Sequence, residues 1–331
     1  MTGPQPDAMP AESGANEAFT VDLPETRMHI VRPDEPVVGR VVRSELCTLG
    51  GRKSAGIIRH IEIDISGTPL AGTFRAGQSF GVVAPGVDAD GKPHKVRLYS
   101  VASPTGGEDG DGNIIATTVK RLFHELPDDH TFYLGVTSNY ICDRQIGDEL
   151  LLAGPNGKRF LLPARPQEHE YIFIATGTGV APFRGMVRET LAKVDRRVTL
   201  IAGAPYETDL LYHDDFLALE REHDNFTCIA AVSREKVDGR PKEYVDGGLS
   251  RISEKIRPAL LTGEALVYIC GIAGMELGVL RQLATMLEGE PDALAQYIEC
   301  DAETLADKDA WDRRMIHRRV KPTRRVFLEV Y

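Results

Sequence analysis

The residues best suited to chemistry follow an apolar run that ends in a glycine-rich turn. Residues 171–175 are typical of a buried strand, and Gly177-Thr178-Gly179 is typical of a tight turn. Pro182 is typical of a position that opens a helix, where its missing N–H donor costs nothing. Without side chains at the two glycines a ligand can approach the backbone, and a helix start favours negative charge. The junction suits a phosphate-bearing ligand, although an ordinary turn from strand to helix has the same pattern.

A second group with chemical potential is Arg97-Leu98-Tyr99-Ser100, inside a predicted strand. Side chains alternate between the faces of a strand, so Arg97 and Tyr99 share one side while Leu98 and Ser100 point to the other. A guanidinium fork matches a phosphate, and an aromatic face can stack on a planar ring. The pair can therefore serve one ligand; the alternative is a half-exposed strand whose tyrosine packs at a sheet edge.

Two sets of elements must position these residues. In the first half, short strands separated by Gly and Asp clusters predict a small antiparallel β-barrel, with strands at 37–42, 59–65, 79–83, 96–102, 114–120 and 149–152. In the second half, strands at 171–175, 198–204, 226–232 and 266–270 alternate with helical stretches at 183–193, 210–221 and 275–287. This alternation predicts a doubly wound parallel sheet, which binds ligands at the carboxyl ends of its strands.

Composition sets the outer limits. The 331 residues suit two domains, predicted at 37–165 and 166–331, and residues 1–36 have the composition of a mobile tail with no secretion or transit signal. The net charge of −10 disfavours a nucleic-acid partner, and no apolar run approaches the roughly 18 residues needed for membrane insertion. Five widely spaced cysteines predict neither a metal site nor a built-in cluster, and they favour a cytoplasmic location.

The two halves together resemble the plant-type ferredoxin-NADP reductases. The resemblance extends from about residue 37 to residue 331 and is specific because its motifs occur in the family's order. They are residues 91–103 around Arg97-Leu98-Tyr99-Ser100, residues 136–143, Gly154-Pro155-Asn156-Gly157-Lys158, the Gly-Thr-Gly turn, Tyr268-Ile269-Cys270-Gly271 with Gly274-Met275-Glu276, and the terminal Glu329-Val330-Tyr331.

The resemblance implies an FAD site in the barrel half. Arg97 and the turn Val136-Thr137-Ser138 would hold the pyrophosphate, Tyr99 would stack on the isoalloxazine, and Tyr331 would cover the opposite face of the ring. The FAD-binding residues that it implies are Arg97, Leu98, Tyr99, Ser100, Thr118, Lys120, Val136, Thr137, Ser138, Thr178 and Tyr331.

The catalytic residues implied in the same way are Ser100, Cys270, Glu329 and Tyr331. Ser100 would lie near flavin N5, Cys270 would contact the nicotinamide, and Glu329 would move a proton or position the ring. For Cys270 the alternative is a small buried hydrophobe, the commoner fate of a free cysteine.

Selection of NADPH over NADH rests on a physical argument. Ser233 and Arg234 end a predicted strand, and Lys242 and Tyr244 follow, whereas an NAD-selective site places an acid at the ribose 2′-hydroxyl. Asp246, where the family commonly has glutamine, departs from the pattern. The full set expected for NADP is Gly177, Thr178, Gly203, Ala204, Pro205, Ser233, Arg234, Lys242, Tyr244, Cys270, Gly271, Met275 and Glu276.

Three functions are consistent with the sequence. The first is a reductase that passes hydride from NADPH to FAD and single electrons to a ferredoxin or flavodoxin, with the basic run Arg313, Arg314, Arg318, Arg319, Lys321, Arg324 and Arg325 steering the acidic partner. The second is the reductase component of an oxygenase, such as an aromatic acyl-CoA epoxidase. The third, of another class, is a nucleotide-binding regulatory protein that transfers no electrons.

Overall fold

The barrel half is a single antiparallel sheet whose two edge strands meet. The computed structural model describes residues 20–48, 53–126, 128 and 130–331. The barrel strands, in the order β4-β3-β8-β1-β2-β5, are β1 (Val37–Leu46), β2 (Ile58–Asp64), β3 (Ser79–Val83), β4 (Arg97–Ser100), β5 (Ile114–Lys120) and β8 (Glu149–Asn156). The edges β4 and β5 are joined where the Ala102 N–H donates to the Ala116 carbonyl at 2.7 Å and Thr117 Oγ1 donates to the Ser100 carbonyl at 2.9 Å. The predicted antiparallel barrel is confirmed.

Between β5 and β8 the chain leaves the barrel as an exposed hairpin and returns as a helix. The hairpin consists of β6 (Phe123–Glu125) and β7 (Phe132–Leu134), and the helix is α1 (Val136–Cys142). Ile141 and Cys142 anchor this helix on the barrel core. Val136-Thr137-Ser138, predicted as a turn, is therefore the first turn of a helix.

The second half is a parallel sheet with helices on both faces. Its strands, in the order β11-β10-β9-β12-β15, are β9 (Glu170–Thr176), β10 (Val198–Ala204), β11 (Phe226–Val232), β12 (Ala265–Gly271) and β15 (Val326–Val330). All seven residues of β12 are buried, as expected for a strand covered on both faces. The predicted doubly wound fold is confirmed.

The helices divide between the two faces of this sheet. One face carries α2 (Val180–Leu191) and α3 (His213–Glu222), and the other carries α4 (Val245–Arg251), α5 (Ser253–Thr262) and α6 (Met275–Met286). The remaining elements are α7 (Pro291–Leu294), α8 (Ala302–Ala306), the two-residue strands β13 (Ile298–Glu299) and β14 (Lys321–Pro322), and 3₁₀ turns at Pro166–Glu168, Gly177–Gly179, Glu207–Asp209, Lys308–Ala310 and Arg313–Met315. Within the described residues, no helix has both the length and the apolarity that crossing a bilayer requires.

The start of α2 corrects one sequence prediction. The helix begins at Val180 and not at Pro182, because the 3₁₀ turn Gly177–Gly179 leads directly into it and the proline falls within its first turn.

The segment before β1 corrects another. Residues 1–19 of the predicted mobile tail lie outside the described residues, but residues 20–36 belong to the fold. Val21 is buried against the second half, and Val31 exchanges two 2.9 Å backbone hydrogen bonds with Gly154 of the barrel. We call residues 20–31 the strap. The prediction of a mobile tail is therefore wrong for residues 20–36.

One hydrophobic cluster spans both halves. Val21 of the strap and Ile58 and Ala76 of the barrel lie in the same buried cluster as Phe173 and Phe183 of the second half. Phe160, in the segment that connects the halves, packs against Phe183 and Tyr268 at ring-centroid distances of 5.8 and 5.6 Å. The predicted domain boundary at 165/166 falls in this connecting segment, between β8 and β9.

Candidate active site

A cleft of about 750 Å³ opens between the barrel and the parallel sheet. Tyr99 of the barrel and Tyr331 of the second half both line it, so a slot lies between the two segments that carry these phenols. All eleven residues expected at the FAD site line the cleft, together with Glu329 and, unforeseen from the sequence, Ser79, His94, Lys95, Leu122, Tyr133, Gly135, Ala181 and Val330.

The barrel wall of the cleft is rich in cationic groups. Lys95, Arg97 and Lys120 line it, with His94 beside them, whereas Glu329 is the one acid among the described lining residues. The structure gives the Arg97 guanidinium no ion-pair partner within its described part. Burial raises the pKa of the Tyr99 phenol, which keeps its ring neutral. This wall therefore suits a ligand with both phosphates and a planar ring.

The helix α1 forms another part of the wall, and most of its polar side chains form hydrogen bonds with nearby segments of the same polypeptide. Ser138 Oγ accepts a 3.2 Å hydrogen bond from the Leu122 N–H and donates to the Gly135 carbonyl at 3.3 Å. Arg121 donates to Asn139 at 2.9 Å and to Asp143 at 2.5 Å. These bonds tie the helix along its length to residues 121 and 122, and Val136 and Thr137 of its first turn line the cleft.

The glycine turn lies against the end of β12 because Gly179 has no side chain. A Cβ at Gly179 would lie 2.1 Å from the Cys270 carbonyl oxygen and 2.6 Å from the Gly271 Cα. This close packing brings Thr178 Oγ1 to 2.6 Å from the Tyr331 hydroxyl. The backbone of Tyr331 is held as well, since its N–H donates to Gly271 and its carbonyl accepts from Ala273, both at 3.0 Å.

Three predicted catalytic residues meet at the end of the sheet. Cys270 lies opposite Glu329 in the pairing of β12 with β15, and Ser100 lines the barrel side of the cleft, close enough to the Glu329 carboxyl to lower its pKa. Burial raises the pKa of the Glu329 carboxyl to about 7, and Ser100 opposes that shift. Glu329 Oε2 has no hydrogen-bond partner among the described residues. The carboxyl can therefore take up or release a proton near neutral pH.

Cys270 itself does not line the open cleft. Its side chain is 1% exposed, and burial raises the pKa of its thiol well above the usual value, with the Glu329 charge adding to the effect. The Tyr331 phenol lies close enough to Cys270 for the two to interact electrostatically, and the tyrosine remains 63% exposed. The thiol is thus a neutral group beside a terminal ring.

The residues expected to select NADP lie together at the carboxyl ends of β10 and β11. Ser233 and Arg234 donate backbone hydrogen bonds to Ala204 and Pro205 at 3.0 and 2.9 Å, which continues the strand pairing beyond Gly203. Arg234 is exposed, with its guanidinium 5.8 Å from the Tyr206 ring centroid. Lys242 and Tyr244 are exposed beside the end of β11, and Tyr244 is 73% exposed. These side chains are free to contact a ligand.

Glu276 has a different position from the one its predicted role requires. It is 3% exposed, its Oε2 accepts a 2.6 Å hydrogen bond from the Gly274 N–H, and its Oε1 lies 3.5 Å from Arg313 Nε. Met275 Sδ lies 3.1 Å from Thr176 Oγ1. Both residues therefore shape the turn that follows β12. Asp246 packs towards α6, since a Cβ at Gly278 would lie 3.2 Å from its carboxyl carbon.

The basic run does not form one surface beside the cleft. Arg313 pairs with Glu276 near the start of α6, whereas Arg325 precedes β15 at the opposite end of the sheet, near His169. Arg319 donates to Thr304 at 2.7 Å, and Lys321 pairs with Glu299 at 3.1 Å. Closeness in sequence to Tyr331 therefore does not place the whole run at the cleft.

Comparison with known proteins agrees with this architecture. Residues 173–280 match the family profile described as the oxidoreductase NAD-binding domain. A ferredoxin-NADP+ reductase from Plasmodium falciparum, solved with 2′P-AMP, has the same fold: the TM-score is 0.66 at 19% identity, over 93% of this chain and all of the other. The class is thus a two-domain oxidoreductase with a nucleotide-binding sheet.

Relatives at higher identity define the family. The chain is 37% identical to ferredoxin–NADP reductase of Thermosynechococcus vestitus over 78% of its length and 67% of the relative. It is 35% identical to the chloroplastic leaf-type isozyme of Nicotiana tabacum over 80% of its length and 74% of the relative, and 33% identical to the Spirulina enzyme over 78% and 88%. The chain belongs to the ferredoxin–NADP reductase family.

Proposed function

We propose that this chain is an FAD-dependent reductase that takes hydride from NADPH and delivers single electrons to a ferredoxin. The observation that carries the proposal is the single cleft in which Tyr99 and Ser100 of the barrel face Glu329 and Tyr331 of the parallel sheet. The relatives described above are named ferredoxin–NADP reductases, which supports the proposal. All five cysteines are free thiols, which supports a cytoplasmic location as part of the proposal.

The cleft fits FAD by the chemistry of its lining. Lys95, Arg97 and Lys120 supply positive charge for the pyrophosphate, and Tyr99 and Tyr331 supply two aromatic rings for the isoalloxazine. Bound FAD would provide a ring system that accepts hydride at N5 and releases electrons one at a time.

Residues of the chain itself would transfer protons and control the access of the nicotinamide to the flavin. Glu329, which lines the cleft with Ser100, can hold or release a proton, because burial raises the pKa of its carboxyl to about 7. The Tyr331 ring would have to move before a nicotinamide could reach the buried Cys270 thiol. Its hydroxyl is held by Thr178, but its 63% exposure allows the ring to swing without disturbing the core.

The 2′-phosphate of NADP would be bound at the ends of β10 and β11. Ser233 and Lys242 offer donors beside Arg234, and the exposed Tyr244 ring offers a face for the adenine. The 2′P-AMP complex of the Plasmodium falciparum enzyme supports this choice over NADH.

Anaerobic titration tests the proposal directly. The purified protein should be yellow, NADPH should bleach its flavin absorbance, and a ferredoxin should restore the absorbance in a stopped-flow experiment. The acceptor panel also includes flavodoxins and oxygenase components, and fast oxidation by one of those alone would contradict the ferredoxin assignment. A colourless protein that cannot be reconstituted with FAD would overturn the enzymatic proposal and leave a nucleotide-binding protein.

Arg97→Ala is expected to weaken FAD binding by about 10- to 100-fold, because a charge-assisted hydrogen bond contributes about 1.5–3 kcal/mol. Fluorescence titration of the apoprotein with FAD measures the change. Arg32→Ala serves as the control, since Arg32 is exposed, pairs with Asp34 at 2.9 Å and does not line the cleft. Equal affinities for the two variants would contradict the assignment of Arg97.

Arg234→Ala is expected to lower kcat/KM for NADPH by about 10- to 100-fold and to leave kcat/KM for NADH nearly unchanged, because only NADPH carries the phosphate that the guanidinium would bind. Steady-state reduction of an artificial acceptor with both coenzymes measures the ratio. Arg221→Ala, at an exposed position on α3, is the matched control. A parallel loss with both coenzymes would argue against a phosphate contact.

A further inference from the structure

The seam between the two halves contains a partly buried hydrogen-bond network centred on Tyr212. This tyrosine belongs to the second half and directly precedes α3. Its hydroxyl lies 2.5 Å from Thr118 Oγ1 of β5 and 2.8 Å from His60 Nδ1 of β2. One phenol of the nucleotide-binding half therefore engages two strands of the barrel.

The direction of these hydrogen bonds can be assigned. His60 is 4% exposed, burial lowers its pKa, and its Nε2 lies 3.2 Å from Glu62 Oε1. A neutral imidazole that donates from Nε2 to Glu62 must accept at Nδ1, so the Tyr212 hydroxyl donates to His60. The phenol oxygen is then free to accept a hydrogen bond from Thr118. Every member of the chain is satisfied, and each bond has one direction.

Two further observations fix the ring itself. The Tyr212 backbone lies in the left-handed region at φ 57°, a conformation that costs a non-glycine residue about 1–2 kcal/mol and persists only where the surroundings determine it. On one side, the Arg184 guanidinium lies 5.3 Å from the ring centroid. Arg184 is 5% exposed and is bonded to Glu108 and to the Ala102 carbonyl of the barrel.

Thr118 connects this network to the cleft. It bonds Tyr212 and also lines the cleft. Its neighbour Thr117 donates a 2.9 Å hydrogen bond to the Ser100 carbonyl, so β5 supports a residue that lines the same cleft as Glu329. A shift of β5 relative to the second half would therefore separate Ser100 from Glu329.

We propose that Tyr212 is a positioning residue whose hydroxyl holds β5, and with it Ser100, in register with the nucleotide-binding half. The inference rests on the proposed reductase function. The hydroxyl itself is not expected to touch FAD or NADPH. It acts through Thr118 on the geometry in which the two bound cofactors would meet, and a displacement of about 1 Å in such a geometry is enough to slow a reaction severely.

Tyr212→Phe tests the role, because it removes the hydroxyl but keeps the ring beside Arg184. The matched control is Tyr268→Phe: Tyr268 is fully buried, and its hydroxyl makes one hydrogen bond, 2.8 Å long, to the Leu161 carbonyl, away from the cleft. Tyr212→Phe should lower kcat about 10-fold with little change in KM for NADPH, as expected for misplaced groups. Tyr268→Phe should lower the melting temperature similarly but keep kcat within about twofold of the wild type.

Thr118→Val provides a second variant and completes a double-mutant cycle. Because Tyr212→Phe and Thr118→Val remove the same hydrogen bond, the double variant should be no slower than the slower single variant. Hydrogen–deuterium exchange of the β5 amides, in the apoprotein and with FAD bound, should increase in each Tyr212 and Thr118 variant and not in Tyr268→Phe.

The proposal is overturned if Tyr212→Phe keeps the wild-type kcat, if the two single effects multiply, or if Tyr268→Phe slows turnover equally. A wild-type protein that NADPH does not reduce would instead refute the proposed function, and the exchange of the β5 amides would still report on the network.

Discussion

Glu329→Gln is expected to slow turnover from NADPH to ferredoxin by about 100-fold, the lower end of the range for loss of a positioned acid–base group. Passing electrons singly to an acceptor leaves a proton behind in the cleft, and the Glu329 carboxyl, which lines the cleft with Ser100, is the group that would take it up. Glutamine keeps the size, but it cannot take up the proton. Glu303→Gln, at an exposed position in α8, is the control and should turn over at the wild-type rate.

The same role predicts how the turnover rate depends on pH. The Glu329 carboxyl acts as a proton acceptor only when ionised, so wild-type turnover should rise as the pH increases through about 7 and then level off. The rise should be absent in Glu329→Gln. If the turnover of Glu329→Gln still rose with pH near 7, the titrating group would be a residue other than Glu329.

The same carboxyl makes a prediction about stability that needs no substrate. Its pKa is raised from 4.5 in the unfolded chain to about 7 in the folded one, so the folded state binds the proton more tightly. The stability that this provides is fully present below pH 4.5 and is lost as the pH rises through 7. The melting temperature of Glu329→Gln minus that of the wild-type apoprotein should therefore increase between pH 5 and pH 8.

Gly179→Ala is expected to lower the free energy of unfolding by about 3 kcal/mol, the upper end of the usual cost of overpacking. The added methyl group would meet only backbone, 2.1 Å from the Cys270 oxygen and 2.4 Å from its carbonyl carbon, and neither can rotate away. The glycine turn would have to move off β12 and take Thr178 away from Tyr331. FAD content and NADPH reduction should fall together with stability.

Gly177→Ala is the matched comparison. Gly177 has φ 54°, and a Cβ there would meet nothing within 4 Å, so the cost should be limited to the left-handed backbone, about 1–2 kcal/mol. Urea unfolding of both variants measures the difference. A larger loss at Gly177 than at Gly179 would show that close packing on β12 is not what requires the second glycine.

The sequence predicts strand bounds well where a hydrophobic pattern is followed directly by turn-forming or polar residues. The bounds predicted for β3, β5, β10 and β11 are those observed, because each is an apolar or alternating run closed by Gly, Pro or polar residues. The seven residues of α1 and the three-residue strands of the hairpin are too short to show a period. The strand β15 was foreseen only as a terminal motif, since its place beside β12 depends on the order of the sheet.

The site was only partly accessible to sequence reasoning. Alternation predicted that Arg97 and Tyr99 share a face. The family resemblance implied that Ser100 and Glu329, which are far apart in sequence, both belong to the active site, but it did not indicate that they lie close to each other. Lys95 and His94 could have been added to the cleft from their place in the same motif. Tyr212 had no signal, because a single tyrosine after an apolar run gains its role only when the halves pack together.

The shared hydrophobic cluster and the strap limit how this reductase can be recombined with its relatives. A chimera that joins this barrel to a foreign nucleotide-binding half would leave Val21 and Phe160 facing a surface that was not shaped for them. The domain boundary in the sequence is thus crossed by side-chain packing between the two halves. A workable graft would exchange residues 20–31 and the connector around Phe160 together with the transplanted half.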